Sequence, residues 1–219
     1  VFLRMKCQES PIFEAIRLQN KIIKSPFVSV CKQYAPSIFL ISVLSGVLAV
    51  AIYLLIGYFP AYFIANLHMT LNQSMVVSFV GLFTLTLCVP LVGRLVDRVG
   101  AYKVFAVGAG CFLVGSYVIF DLLVRGGSIS AMACVTLTAI FLSMIAASIL
   151  PIITAAFPAN VRCSGVSVGY NISMSLFGGT TPLIAMMSCQ YFGVETAPAG
   201  YLILSAFLSL LALYFLNKN

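Results

Sequence analysis

Apolar residues run along this chain in stretches too long for a soluble fold and too continuous for the strands of a barrel. From Gln33 to Gly93 there is no Asp, Glu, Lys or Arg, and the runs 126–161, 163–194 and 196–217 are equally uncharged. A helix needs about 20 apolar residues to cross a bilayer. Divided at their turn residues, the runs predict six spans, near residues 36–59, 74–93, 104–122, 128–151, 164–188 and 199–216. Barrel strands alternate apolar and polar side chains over about ten residues, and these runs do not. In lipid, helices satisfy every backbone group internally, so the pattern predicts an all-α integral membrane bundle of six transmembrane helices over residues 36–219.

Residues 1–35 break the pattern, carrying six basic residues together with Glu9, Glu14, Pro11 and Pro26. They read as a separate cytoplasmic segment. Within it Ile12, Ile16 and Ile23 alternate with Arg17, Lys21 and Lys24. The spacing suits either a short basic amphipathic helix on an anionic membrane surface or a solvated linker. The opening Val-Phe-Leu-Arg-Met-Lys resembles the cytoplasmic end of a preceding helix, and no secretory leader is expected, because no cleavage pattern follows a short apolar core.

Composition agrees with the pattern. The hydrophobic fraction is 62% and the mean hydropathy +1.11, against roughly 45–50% apolar usage in soluble domains. The net charge of +7 raises the thought of nucleic acid, but the placement of the charges points to orientation instead. With both termini cytoplasmic, one face receives Arg4, Lys6, Arg17, Lys21, Lys24, Lys32, Arg94, Arg98, Lys103, Arg162 and Lys218, which leaves only Arg125 for the other. Cytoplasmic loops of membrane proteins carry such an excess. The sequence therefore predicts a plasma (inner) membrane protein with both termini in the cytoplasm, the lipid bilayer as its partner and no nucleic acid.

The ionisable residues also limit the chemistry. No Asp, Glu, Lys or His lies within a predicted span, and Asp121 stands only at an outer edge. The seven cysteines are scattered singly and His68 is the only histidine, so the cysteines read as small apolar packers with no metal site. Membrane enzymes need clustered bases, nucleophiles or ligands. The pattern predicts no enzyme and no cofactor.

Three polar constellations remain. The stretch Gly93-Arg94-Leu95-Val96-Asp97-Arg98-Val99-Gly100 places three charges between two apolar runs, as a tight turn bracketed by Gly93 and Gly100. Asp97 would sit near the C-terminal end of its helix, where the macrodipole disfavours an anion, so Arg94 or Arg98 is expected beside it. In the fifth span Gly165, Gly169 and Ser173 form a small-residue stripe suited to close helix packing. Ser167, Asn171 and Ser175 repeat two residues later, roughly 200° around the helix. That polar face should avoid lipid; Asn171 either lines a wet cavity or bonds a neighbouring helix. Beyond it Gly178, Gly179 and Pro182 predict a hinge or a simple kink. The first span puts Ser42, Ser45, Ala49 and Tyr53 on one face, with Tyr53 deep enough to line a cavity. Tyr58 and Tyr62 read as interfacial belt residues, and Pro60 as a bend.

The pattern G-x-x-x-D-R-x-G at 93–100 resembles the loop signature of the major facilitator superfamily, in the copy between that family's eighth and ninth helices. Here Ala101 and Tyr102 precede Lys103 where the family usually continues with basic residues. Glu9-Ser10-Pro11-Ile12-Phe13 is similar to the central-loop motif of the family's metabolite:proton symporter branch. Residues 157–162 with 165–171, and 177–182, resemble the approach to its eleventh helix and the continuation. The resemblance spans the whole chain but only the second half of such a carrier. It implies proton-coupled symport of a small metabolite, with a proline/betaine-like zwitterion ahead of a carboxylate and the proton as coupling ion. Tyr53, Ser167, Asn171 and Ser175 are the candidate cavity contacts, and Gly93, Asp97, Arg98 and Gly100 the cytoplasmic gating turn. Alternating access needs two six-helix halves, so a separately made or missing N-terminal half is the implied partner. The alternative is a remnant or accessory subunit that does not transport.

Overall fold

The computed structural model describes residues 33–218. The leader helix, the central-loop motif at 9–13, Cys7 and Cys31 fall outside the described residues. Six helices are long and apolar enough to cross a membrane: α1 (Ala35–Ala65), α2 (Leu71–Val99), α3 (Ala101–Val124), α4 (Ser128–Ala155), α5 (Arg162–Phe192) and α6 (Pro198–Lys218). Successive helices are joined by short connections and run up and down. Helix α1 is the most enclosed, with 72% of its apolar window buried, against 22% for α5 and 11% for α2. Its Ile41, Leu44, Leu54, Phe59 and Phe63 are fully or almost fully buried. Helix α4 carries much of the remaining core through Cys134, Leu142, Ile145 and Ile153, between α2 and α3.

Two helices depart from regular geometry, each near a proline. In α1 the segment Leu54–Tyr58 is a π-turn, closed by the Phe59 N–H on the Leu54 carbonyl. Pro60 follows two residues later and has no N–H to give the preceding turn; the wider turn absorbs the misfit. Helix α5 repeats the device at Met174–Gly178, closed by the Gly179 N–H on the Met174 carbonyl, with Pro182 four residues beyond. The chain stays helical through both. The predicted bend at Pro60 and the predicted hinge at Gly178, Gly179 and Pro182 thus take the form of an extra residue in a turn, without a break.

The charged stretch is also more helical than its sequence suggests. Helix α2 continues through Gly93, Arg94, Asp97 and Arg98 to Val99, and α3 begins at Ala101. The turn is Gly100 alone, at φ 99°, a conformation that costs little only for glycine. Gly93 therefore does not bracket a loop. The reason is periodic: Val96 is buried and keeps the apolar register into the last turn, while Arg94, Asp97 and Arg98 are all exposed at the helix end. The expected pairing of Asp97 with an arginine is absent among the described residues, where the one ion pair joins Arg125 to Asp121 at 2.7 Å. An exposed carboxylate is already solvated and gains little from a partner.

Candidate functional site

The fifth helix divides as its spacing predicts. Gly165, Gly169 and Ser173 are buried, whereas Ser167, Asn171 and Ser175 are exposed. A Cβ on Gly169 would stand 2.9 Å from Ile41 Cγ2 and 3.3 Å from the Ile38 carbonyl, so the missing side chain lets α5 lie against α1. There the Ser42 hydroxyl donates to the Gly169 carbonyl at 2.9 Å. The hydroxyl of Ser173 has no hydrogen-bond partner among the described residues; its contribution is its size.

The polar face opposite bonds to no other helix among the described residues. Asn171 donates through Nδ2 to the Ser167 carbonyl at 2.7 Å, one turn back in the same helix. Ser167, Asn171 and Ser175 thus form a ladder of exposed polar groups along one side of the bundle. A face of this kind is costly against hydrocarbon and stable against water or a second protein surface.

Tyr53 sits elsewhere. Its ring covers Gly178 of α5, where an added Cβ would come within 2.7 Å of Cδ2 and Cε2. The ring is half-buried, packs against α5 across the helix pair, and lines neither of the α1–α5 cavities described below. The same pairing continues along both helices, with Gly57 against Pro182 and Gly46 against Phe177. The two π-turns therefore face each other's helix, and α1 and α5 form one interlocked unit. Helix α6 supports it: the Val47 N–H donates to Ser209 Oγ at 3.3 Å, and that hydroxyl donates to the Val43 carbonyl at 3.0 Å.

Two cavities lie between α1 and α5. One, of about 330 Å³, is apolar apart from Ser42 and is walled by Ile38, Phe39, Val168, Ile172 and Leu176. The other, of about 280 Å³, opens at the far end of the pair, beside the α5–α6 connection. Its walls include Tyr58 and Tyr62, each only 5% exposed, so these are not lipid-facing belt residues. The Tyr62 hydroxyl donates to Glu195 Oε2, and the Tyr58 hydroxyl shares a hydrogen bond with Cys189 Sγ at 3.4 Å. An aromatic side chain with a bonded hydroxyl can turn inward without leaving a buried polar atom unpaired, which is why the belt expectation fails. Cysteine behaviour differs by position in the same way: Cys134 is buried, as a packer should be, while Cys163 is exposed.

Sequence reasoning passed over Glu195 and Cys189. The available signal was Glu195 itself, the single charge between Cys163 and Asn217.

The family model of the Major Facilitator Superfamily matches residues 41–219. Over its full length the chain is 30% identical to a protein named as a proline/betaine transporter from Staphylococcus aureus (strain COL), covering 47% of that protein. It is 29% identical to the ectoine/proline transporter ProP of Corynebacterium glutamicum, with 100% of the chain aligned to 45% of the relative. It is 26% identical to the citrate-proton symporter of Klebsiella pneumoniae, over 99% of the chain and 49% of the relative. No solved structure matches. The chain spans about half the length of these relatives, and its six helices fit half of the family's fold. With the model covering all but the first 40 residues, the chain belongs to the Major Facilitator Superfamily.

Proposed function

We propose that the chain is the C-terminal half of a proton-coupled symporter for a small metabolite, a proline- or betaine-like zwitterion ahead of a carboxylate, working with an N-terminal six-helix half. The observation that carries this reading is the exposed ladder Ser167, Asn171 and Ser175 on α5, opposite a face of the same helix, Gly165, Gly169 and Ser173, that is buried. A wet path between two halves is the environment in which such a face costs least. Tyr53, held against Gly178, contributes from α1 once the path is complete. The proton is carried by groups of the other half, because the spans of this one contain no carboxylate apart from Asp97 and Asp121 near helix ends.

The excess of basic residues at one end of the helices supports an inner-membrane orientation with both termini in the cytoplasm. Gly100 and the charges of the last α2 turn, Asp97 and Arg98, then form the cytoplasmic gate. Asp97→Asn is expected to slow conformational exchange by at least about tenfold, roughly 1.4 kcal/mol in a barrier, with membrane insertion unchanged.

The test is uptake of radiolabelled proline, glycine betaine and citrate into proteoliposomes under an imposed proton gradient. The chain is assayed alone and co-reconstituted with the first six helices of the Staphylococcus aureus relative. Gradient-driven uptake of a zwitterion only when both halves are present supports the reading. Its absence in every combination favours a remnant or an accessory subunit.

A further inference from the structure

The mouth pocket beside the α5–α6 connection is separate from the Ser167–Ser175 ladder, and its chemistry is specific. Its polar lining comprises Tyr58, Tyr62, Asn66, Cys189, Gln190 and Glu195. Among the described residues Glu195 makes no ion pair, whereas Asp121 and Arg125, four residues apart at the end of α3, pair with each other. One carboxylate oxygen, Oε2, accepts from Tyr62, and no hydrogen bond engages Oε1 among the described residues. The pocket thus combines a half-satisfied anion with two tyrosine rings whose hydroxyls are already bonded. A carboxylate beside aromatic walls attracts ammonium groups, including quaternary ones that have no N–H to donate.

We propose that this pocket is an access site that holds the ammonium group of a small zwitterionic or cationic solute, with Glu195 supplying the opposing charge and Tyr58 and Tyr62 the walls. The proposal rests on the transport reading for its place on a solute path. It sharpens that reading by predicting selection: a negative carboxylate at the mouth favours betaine- and proline-like solutes and repels tricarboxylates.

Cys189 lies in the lining and serves as a built-in reporter, and exposed Cys163 at the other end of α5 is its internal reference. The full chain in phosphatidylglycerol nanodiscs is treated with a trimethylammonium-bearing or a sulfonate-bearing methanethiosulfonate, and modification of each cysteine is followed by peptide mass spectrometry. Relative to Cys163, Cys189 is expected to react about tenfold faster with the cationic reagent than with the anionic one. Glu195→Gln, which retains an acceptor for Tyr62, is expected to bring the two rates together, while Cys163 rates stay unchanged as a sign of an intact fold. Glycine betaine should slow modification of Cys189 by neutral N-ethylmaleimide, and citrate should not.

Charge-independent reaction at Cys189, a preference that survives Glu195→Gln, or protection by citrate equal to that by betaine would each overturn the site. Protection in phosphatidylethanolamine nanodiscs without solute would assign the pocket to a lipid headgroup and overturn it as a solute site. None of these readouts requires transport. Failed uptake by the reassembled halves therefore leaves a betaine-binding pocket standing, and a silent pocket leaves the uptake result standing.

Discussion

Helices α2 and α5 are the two least enclosed helices of the bundle, and they differ in nearly everything else. The outer face of α2 is apolar, with Met75, Phe79, Phe83, Leu87 and Leu91 all more than half exposed. Its start is secured locally: Thr70 Oγ1 accepts from the Gln73 N–H at 3.3 Å while Gln73 Oε1 accepts from the Thr70 N–H at 2.9 Å, a capping box that satisfies two donors at once. Helix α5 has no side-chain cap at its start and carries a π-turn and two exposed polar turns. Its order comes from α1, through Gly169 on Ile41, Ser42 on the Gly169 carbonyl and Tyr53 on Gly178. Low burial thus has two meanings here. An apolar exposed face is at rest in lipid, whereas a polar exposed face on a helix held by its neighbour is suited to water.

The sharpest way to break this contrast is to ask each face what it touches. Single cysteines at Asn171 or Ser175, with both halves reconstituted, are expected to react with a membrane-impermeant maleimide. Cysteines at Phe79 or Phe83 are expected to react on the order of a hundredfold more slowly, since the reactive thiolate is disfavoured away from water. Equal rates on the two helices would refute the wet-face reading of α5.

A smaller effect tests what holds α5. Gly178→Leu drives a side chain into the Tyr53 ring and is expected to destabilise the bundle by about 1–3 kcal/mol, the usual cost of overpacking. The measurement is the midpoint of thermal unfolding in detergent. Gly93→Leu, at a mid-helix site with nothing within 4 Å of the added Cβ, should not lower that midpoint; a similar drop in both would mean that the α1–α5 contact has no special role.

The difference between α2 and α5 also marks what could be read from the amino-acid order. Uncharged runs are long-range signals that no neighbour can reverse, and the six helices follow from them. The two faces of α5 were legible because a spacing of four residues keeps side chains on one side of a helix whatever it packs against. Local geometry was less so. The eight residues from Gly93 to Gly100 look like a turn by composition, yet the helix needs only one glycine to reverse, and the buried Val96 carries it that far. The inward rotation of Tyr58 and Tyr62 depends on partners more than 130 positions away, Cys189 and Glu195, and no window along the chain contains both. The π-turns belong to the same class, since a proline announces a misfit without saying how the backbone absorbs it.

On α2, Thr70→Ala removes half of the capping box and is expected to cost about 1 kcal/mol, read as faster amide hydrogen exchange confined to residues 71–75. On α5 the corresponding loss should spread. Ser42→Ala deletes the hydroxyl that bridges to the Gly169 carbonyl, and interhelical bonds of this kind in membranes average about 0.6 kcal/mol. The effect is small because Ser42 Oγ also bonds the Ile38 carbonyl at 2.8 Å, and because a bare carbonyl on Gly169 still has its helical donor. If α5 takes its order from α1, exchange should rise on both helices around positions 38–46 and 165–173 together. Exchange that rises on α1 alone would show α5 to be self-supporting, and the two least enclosed helices would then differ only in the polarity of their faces.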